Sequence, residues 1–472
     1  MFSATVSGDG KAVSYTLTDE WKPFFKNSVG LTGVTDENVN DKANDYVSKL
    51  KDSTLVAFAT KASNWAQTKA NNITADATAT VSADASNGKY TATFTGLGYG
   101  YYVVAVPGAT LANAKSQYAT LVSVHSTKVD ADIKGDLPTV DKKVQVDGTG
   151  KDATDAKIGD TLTFTLTSTI PDMSAYDTYT FNFKDTLSKG LTFGQVKSVK
   201  VENVTLTENT DYTVTTPTAS NNNTLTVAMK DFKTKQQANA GKKITVTYTA
   251  TLNENAVVGG AGNVNSAKIQ YSNNPSTNGT GESEPSKVRV FTYGFTVDKY
   301  TGDYGENATR LAGAEFTLAH KDGSAISFVQ VSAGSATANA VYRVAKAGET
   351  GTTTITTPAN GKVVFEGLKN GEYTLTETKA PAGYNKLASA IGVKVNGQNN
   401  GTDTTNATVT ITYNNDNGND YNQTASNGVI PVQNKSGAIL PGTGGMGTIA
   451  FTVIGVLVIA LGVAWTLKRK NA

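Results

Sequence analysis

No cysteine occurs in this 472-residue chain. Disulfides, thiolate metal sites and thiol catalysis are therefore excluded, and any covalent staple must use other chemistry. Histidine is almost missing too. His125 and His320 are the only two, too few and too isolated for a His-based triad or a multi-His metal site, and each is read as structural or on the surface. There is no P-loop and no dinucleotide-binding glycine fingerprint. Net charge is close to nil, +2 from 42 basic and 40 acidic side chains, which provides no electrostatic footprint for nucleic acid. Together these absences predict a non-enzyme with no metal and no cofactor.

Helical periodicity is scarce as well. Thr, Val, Tyr and Phe alternate with polar residues in short runs bounded by Gly, Asn and Asp, which predicts a mainly β protein. The length suits about three domains of ~100–200 residues each. The first, 1–136, mixes strands with two helices, predicted from Val39, Ala43, Tyr46, Val47 and Leu50 and from Leu55, Phe58, Ala62 and Trp65 at helical spacing. The second, 137–286, contains "TLTFTLTS", "YTFNFKDTL" and "ITVTYTA", period-two strands with one buried face, for which a sandwich is the natural container. It ends in the polar stretch Ser272–Ser286, and the third domain runs 287–436. "FTGLGYGYYVVAV" in the first domain and "FEGLKNGEYTLTE" in the third share a pattern that reads as the same hairpin. The 20 tyrosines, spread through strands, are read as packing rather than as a sugar-binding platform.

Strand alternation turns several charges inward. Lys142 shares a face with Val140, Val144 and Val146, and Lys299 with Tyr293, Phe295 and Val297. Asp185 falls in phase with Tyr179, Phe181, Phe183 and Leu187, and Glu377 with Tyr373 and Leu375. A lone buried charge costs several kcal/mol even after relaxation, so such groups pair, neutralise or react. A salt bridge is the plain outcome. Burial also lowers a lysine pKa and raises that of a carboxylic acid, which sets a neutral amine beside a proton donor and lacks only an electrophile. An Asn carboxamide would serve. Asn265 is in phase with Ala267, Ile269 and Tyr271, with Asn263 as the alternative; Asn434 is in phase with Ile430 and Val432, while Asn414 is out of phase with its apolar neighbours.

The chain closes on Leu440-Pro441-Gly442-Thr443-Gly444, an apolar run from Ile449 to Leu467, and Lys468, Arg469 and Lys470. The run approaches the ~20 residues that a helix needs to cross a bilayer, and the basic end favours the cytoplasm, which places everything upstream outside. Pentapeptide, span and basic tail in that order resemble the cell-wall sorting signal of Gram-positive surface proteins. The resemblance implies cleavage by sortase between Thr443 and Gly444, transfer of the Thr acyl group to an amine, and only transient membrane insertion before sorting. Met1–Val6 lacks a charged start followed by an apolar stretch, so the first residues are read as a processed or recloned start.

"YTLTETKAPAGY" resembles the E-box of backbone pilins from sortase-assembled pili, and "VDKKV", "VDKY" and "VQNKSGAILPGTGG" resemble their domain edges. That family implies immunoglobulin-like domains, a collagen-adhesin A-type module at 137–286 and a B-type module at 287–436, with self-generated Lys–Asn isopeptide bonds. Residue by residue, these are Lys142–Asn265 promoted by Asp185 and Lys299–Asn434 promoted by Glu377. Val106 stands where Glu377 stands in the repeat, so no such bond is expected in the first domain. The resemblance implies a pilus shaft subunit linked from Thr443 to a lysine of the next copy, with sortase, identical subunits, ancillary pilins and peptidoglycan as partners and the Gram-positive cell wall as location. The family's Tyr-Pro-Lys-Asn tetrapeptide is absent, so the lysine is chosen by position: Lys134 first, with Lys128 and Lys143 as alternatives. The same modules are also compatible with a wall-anchored monomeric adhesin or ancillary pilin that binds a host or matrix ligand.

Overall fold

The computed structural model describes residues 1–8, 12–80, 82–84, 89–106, 119–131, 138–173, 176–272, 279–398, 407–415, 420–437 and 459. The pentapeptide Leu440–Gly444, the apolar run apart from Ile459, the basic tail and Lys134 lie outside the described residues. Among the described residues no helix is long and apolar enough to cross a membrane. The chain divides into two compact units, Met1–Tyr293 with Gly397–Val409, and Gly294–Asn396 with the chain from Thr410.

The first unit opens with a four-stranded antiparallel sheet in the order Val13–Leu17, Phe2–Val6, Gly100–Ala105, Ala119–Val124. Both predicted helices form, over Val39–Ser48 and Asp52–Gln67. Their apolar stripes bury Val39, Ala43, Phe58 and Ala62 in one cluster with Phe2, Trp21, Phe24 and Phe25. The two phenylalanines ride on a further helix, Lys22–Asn27, which at six residues is too short for helical periodicity to stand out.

Two larger sheets follow in the same unit. One runs Val204–Thr205, Leu191–Val201, Lys243–Leu252, Thr161–Thr169, Asp141–Val146, Thr149–Lys151; the other runs Tyr212–Thr215, Thr224–Met229, Phe181–Leu187, Asn263–Ser272, Ser286–Phe291, Ala153–Asp155. Alternation is strict where one face is buried: Phe181, Phe183, Asp185 and Leu187 point in and their neighbours point out. The polar stretch after Ser272 includes a short strand, Thr280–Glu282, on the end of Asn263–Ser272. Beyond it, Ser286–Phe291 stays in this sheet, pairing antiparallel with Asn263–Ser272 and parallel with Ala153–Asp155. Val288 and Val290 on that strand are fully buried.

The second unit is also built from two sheets. The first orders Thr309–Arg310, Tyr293–Thr301, Lys362–Leu368, Ala340–Val344 and Phe328–Ser332, with Val429–Gln433 parallel to Tyr293–Thr301. The second orders Ile355–Thr356, Glu315–His320, Gly371–Lys379, Ile391–Gln398, Thr408–Tyr413 and Gln423–Thr424. The expected hairpins do not form. Lys362–Leu368 and Gly371–Lys379 belong to different sheets. In the first copy Lys89–Thr91 pairs with Ser82–Asp84, whereas Gly100–Ala105 pairs with Phe2–Val6 and Ala119–Val124. In both copies the strands on either side of the Gly-rich link take their hydrogen bonds from other strands, not from each other. Gly367, at φ 83, supplies the left-handed backbone for this change of sheet.

Candidate functional site

Each unit holds a buried lysine, a carboxylic acid and an asparagine on converging strands. In the first unit, register sets Lys142 opposite Leu166, and Val144 opposite Phe164, which in turn lies opposite Tyr248. The facing sheet sets Asp185 opposite Ala267 and Asn265 opposite Leu187, so the acid and the amide are diagonal neighbours. Lys142, Asp185, Asn265 and Tyr248 are all at 0% exposure. Lys142 Nζ donates to Asp185 Oδ2 and, at 2.8 Å, to Tyr248 Oη. Tyr248 Oη donates to Asp185 Oδ2 at 2.7 Å and accepts from Asn265 Nδ2 at 2.6 Å. The amine also lies 5.2 Å from the Phe164 ring centroid. Burial holds the Lys142 pKa down at about 8, against the raising pull of Asp185.

In the second unit the lysine and asparagine sit on neighbouring parallel strands. Lys299 is level with Val432, and the backbone N–H of Asn434 donates to Tyr300 O at 3.0 Å. Glu377 reaches them from the other sheet, on the strand whose alternating residues Tyr373, Leu375 and Glu377 are buried. Lys299 Nζ is 3.1 Å from Glu377 Oε1. Glu377 Oε2 accepts from Asn434 Nδ2 at 3.0 Å and from the Leu387 N–H at 2.8 Å, and Asn434 Nδ2 also donates to Asn385 O at 2.8 Å. Desolvation again lowers the lysine to about 8, with Glu377 acting in the opposite direction.

One detail recurs at both sites. Asn265 Oδ1 and Asn434 Oδ1 are buried without a hydrogen-bond partner, and so are Asp185 Oδ1 and Glu377 Oε1. A simple ion pair satisfies Glu377 Oε1 through Lys299 Nζ but leaves the two amide oxygens and Asp185 Oδ1 in that state, at a cost of about 1–3 kcal/mol for each unsatisfied group. Buried lysine, acid and carboxamide together bring a nucleophile, a proton carrier and an electrophile into one pocket.

The alternatives from sequence occupy other roles. Asn263 is fully buried, but its Oδ1 accepts from Val257 N at 2.9 Å, and its Nδ2 donates to Val257 O at 3.2 Å and Val290 O at 3.1 Å. It clamps a loop to a strand. Asn263→Ala is expected to destabilise the first unit by about 1–3 kcal/mol in denaturant titration. Asn414 Oδ1 accepts from Gly392 N at 3.0 Å. His125 is exposed beside Ser123, and His320 packs its ring 5.4 Å from that of Tyr373. Lys128 is exposed, 3.4 Å from Asp130. Lys143 points outward between Asp152, at 2.6 Å, and Asp141, at 3.3 Å; its hydrogen bond to Asp152 raises its pKa and keeps it a protonated, poor nucleophile. Among the described residues no group of three or more His, Asp or Glu could hold a metal ion. Tyr248 was not singled out from sequence, although "ITVTYTA" places it in phase with the buried Ile244 and Val246.

Comparison with known proteins matches three regions of the chain to described families. Residues 158–275 match the Gram-positive pilin backbone subunit 2, Cna-B-like domain; residues 302–411 match the SpaA prealbumin-like fold domain; residues 432–472 match the LPXTG cell wall anchor motif. The description of 158–275 as Cna-B-like differs from the A-type module expected there. The trypsin-resistant surface T6 protein of Streptococcus pyogenes serotype M6 is 26% identical over 278 residues, 53% of this chain, and the match spans 44% of that relative's length. Among solved structures, the 35 kDa C-terminal fragment of the major pilin GBS80 of Streptococcus agalactiae is 24% identical, covering 64% of this chain and 100% of that one at a TM-score of 0.45. The three-domain T6 backbone pilin of serotype M6 Streptococcus pyogenes is 18% identical, covering 93% of this chain and 95% of that one at a TM-score of 0.48.

Proposed function

We propose, for a chain that belongs to the Gram-positive backbone pilins through its matched domains, that it is the repeating shaft subunit of a covalently polymerised surface pilus. Sortase joins Thr443 of one copy to a lysine of the next, and two internal isopeptide bonds, Lys142–Asn265 and Lys299–Asn434, staple the subunit. The observation that carries this reading is the pair of buried Lys, acid and Asn constellations upstream of a cell-wall sorting pentapeptide. In each, a proton passes from the lysine to the acid, and the freed amine attacks the amide carbon, whose oxygen takes up the developing negative charge. The amine then gives one hydrogen to the amide nitrogen, the old C–N bond breaks and ammonia leaves. The acid is regenerated, and the reaction runs once per site. The domains proposed are 1–136, 137–286 and 287–436, with strand Ser286–Phe291 running past the second boundary in the sheet of the second domain, and the first, with Val106 at the acid's place in the repeat, carries no such bond.

The polymer is tested on cell-wall extracts boiled in detergent and blotted. A ladder of high-mass species is expected from the native chain, collapsing to a single band for Thr443→Ala. A single band from the native chain would point to a wall-anchored monomer instead. Lys134→Ala is expected to abolish the ladder; a persisting ladder would move the acceptor to Lys128, ahead of the ion-paired Lys143.

A further inference from the structure

We propose that Tyr248 is a catalytic residue of the first site, carrying the proton that travels from the Lys142 amine to the departing amide nitrogen of Asn265. This rests on the isopeptide reading above. Three contacts place the hydroxyl at the centre of the reacting groups. It accepts from the nucleophile Lys142 Nζ at 2.8 Å, accepts from the leaving nitrogen Asn265 Nδ2 at 2.6 Å, and donates to Asp185 Oδ2 at 2.7 Å. Asp185 itself shares no hydrogen bond with Asn265: its Oδ2 is engaged by Lys142 and Tyr248, and its Oδ1 has no partner.

The second site explains why the first needs a hydroxyl. There the longer acid spans both ends of the reaction unaided, with Oε1 at 3.1 Å from Lys299 Nζ and Oε2 at 3.0 Å from Asn434 Nδ2. Glutamate is one methylene longer than aspartate. At the first site Asp185 and Tyr248 together cover the distance that Glu377 covers alone. The phenol suits a relay, because burial pushes its pKa well above the ordinary tyrosine value and the Asp185 charge adds to that. It therefore stays an O–H, able to accept on one side and donate on the other.

The step balances. After Nζ attacks, the former amide nitrogen becomes pyramidal and gains a lone pair. Tyr248 turns its proton from Asp185 to that nitrogen and receives one from the Nζ of the adduct. The Cγ–Nδ2 bond then breaks, ammonia departs, and the phenol is restored. A relay of this kind contributes ~10²–10⁴-fold to rate.

The test is a time course of intact mass for the full chain carrying Tyr248→Phe, which keeps the ring stacked on Phe164 at 5.4 Å between centroids. Mapping of cross-linked peptides assigns each lost ammonia to its site. The Lys142–Asn265 bond is expected to form at least ~100-fold more slowly, while Lys299–Asn434 forms at its native rate and serves as the internal control. Adding Asp185→Glu to Tyr248→Phe is expected to restore bonding, because the longer acid reaches Asn265 by itself. Native-rate bonding in Tyr248→Phe would overturn the relay. Slow bonding without rescue by Asp185→Glu would assign the tyrosine a packing role and overturn it equally. A native chain with no missing ammonia would instead remove the isopeptide reading and this proposal with it.

Discussion

Replacing both acids, Asp185→Ala together with Glu377→Ala, is expected to leave the intact mass at the value calculated from the variant's own sequence, without the two-ammonia deficit expected of the native chain, and to lower both unfolding transitions steeply. Each bond closes a loop of more than one hundred residues, a constraint on the unfolded chain worth ~4–5 kcal/mol on the chain-entropy account. At roughly 2–4 °C per kcal/mol for domains of this size, each unit should melt about 10 °C or more earlier. The single variants separate the sites, since Asp185→Ala touches only the first unit and Glu377→Ala only the second. Mass spectrometry and calorimetry on the same samples read both effects. Acid-free variants that still lacked two ammonias would show that the carboxyl groups do not promote the bonds.

The second large effect is on pH dependence in a chain that keeps both amines free. With Asn265→Ala and Asn434→Ala the bonds cannot form, and Lys142 and Lys299 remain buried with pKa values near 8, against 10.5 for the ordinary side chain. Between those values the unfolded chain binds more protons than the folded one. Stability must therefore rise with pH across the window from about 8 to 10.5 and level off beyond it. The rise is on the order of 3 kcal/mol per lysine. With both proposed cross-links in place the native chain has no amine to titrate at either site and should lack this rise. Denaturant titrations at a series of pH values distinguish the two chains, and a flat profile for the double variant would mean that the buried amines are not shifted as described.

Much of this chemistry was legible in the sequence because strands alternate. A period of two gave the inward direction of Lys142, Asp185, Asn265, Lys299, Glu377 and Asn434 without knowledge of which strands pair. Helical spacing likewise marked Val39–Ser48 and Asp52–Gln67. Pairing itself was not legible. The Gly-rich link after Lys362–Leu368 has the local chemistry of a hairpin turn, yet the strands on either side belong to different sheets, because partner choice is decided by residues far along the chain. Tyr248 was missed for a related reason. Its position on an inward face is as apparent as that of Lys142, but an aromatic ring in a core needs no explanation, whereas a charge does. What its hydroxyl touches depends on three strands brought together from distant parts of the sequence.

The two staples are placed differently along their units. Lys299 lies on Tyr293–Thr301 and Asn434 one residue past its neighbour Val429–Gln433, so with the proposed bond in place nearly all of the polypeptide between them is bypassed. Under that proposed cross-link a protease cut or an inserted loop anywhere from 302 to 428 would leave the covalent path through the subunit intact. After Asn265, by contrast, the chain runs on through Ser286–Phe291 before it reaches Lys299, and no bond bridges that stretch. On the proposed linkage a single break there severs the filament, as does one between the acceptor lysine and Lys142 or between Asn434 and Thr443, so these unbridged stretches are where cleavage is least affordable.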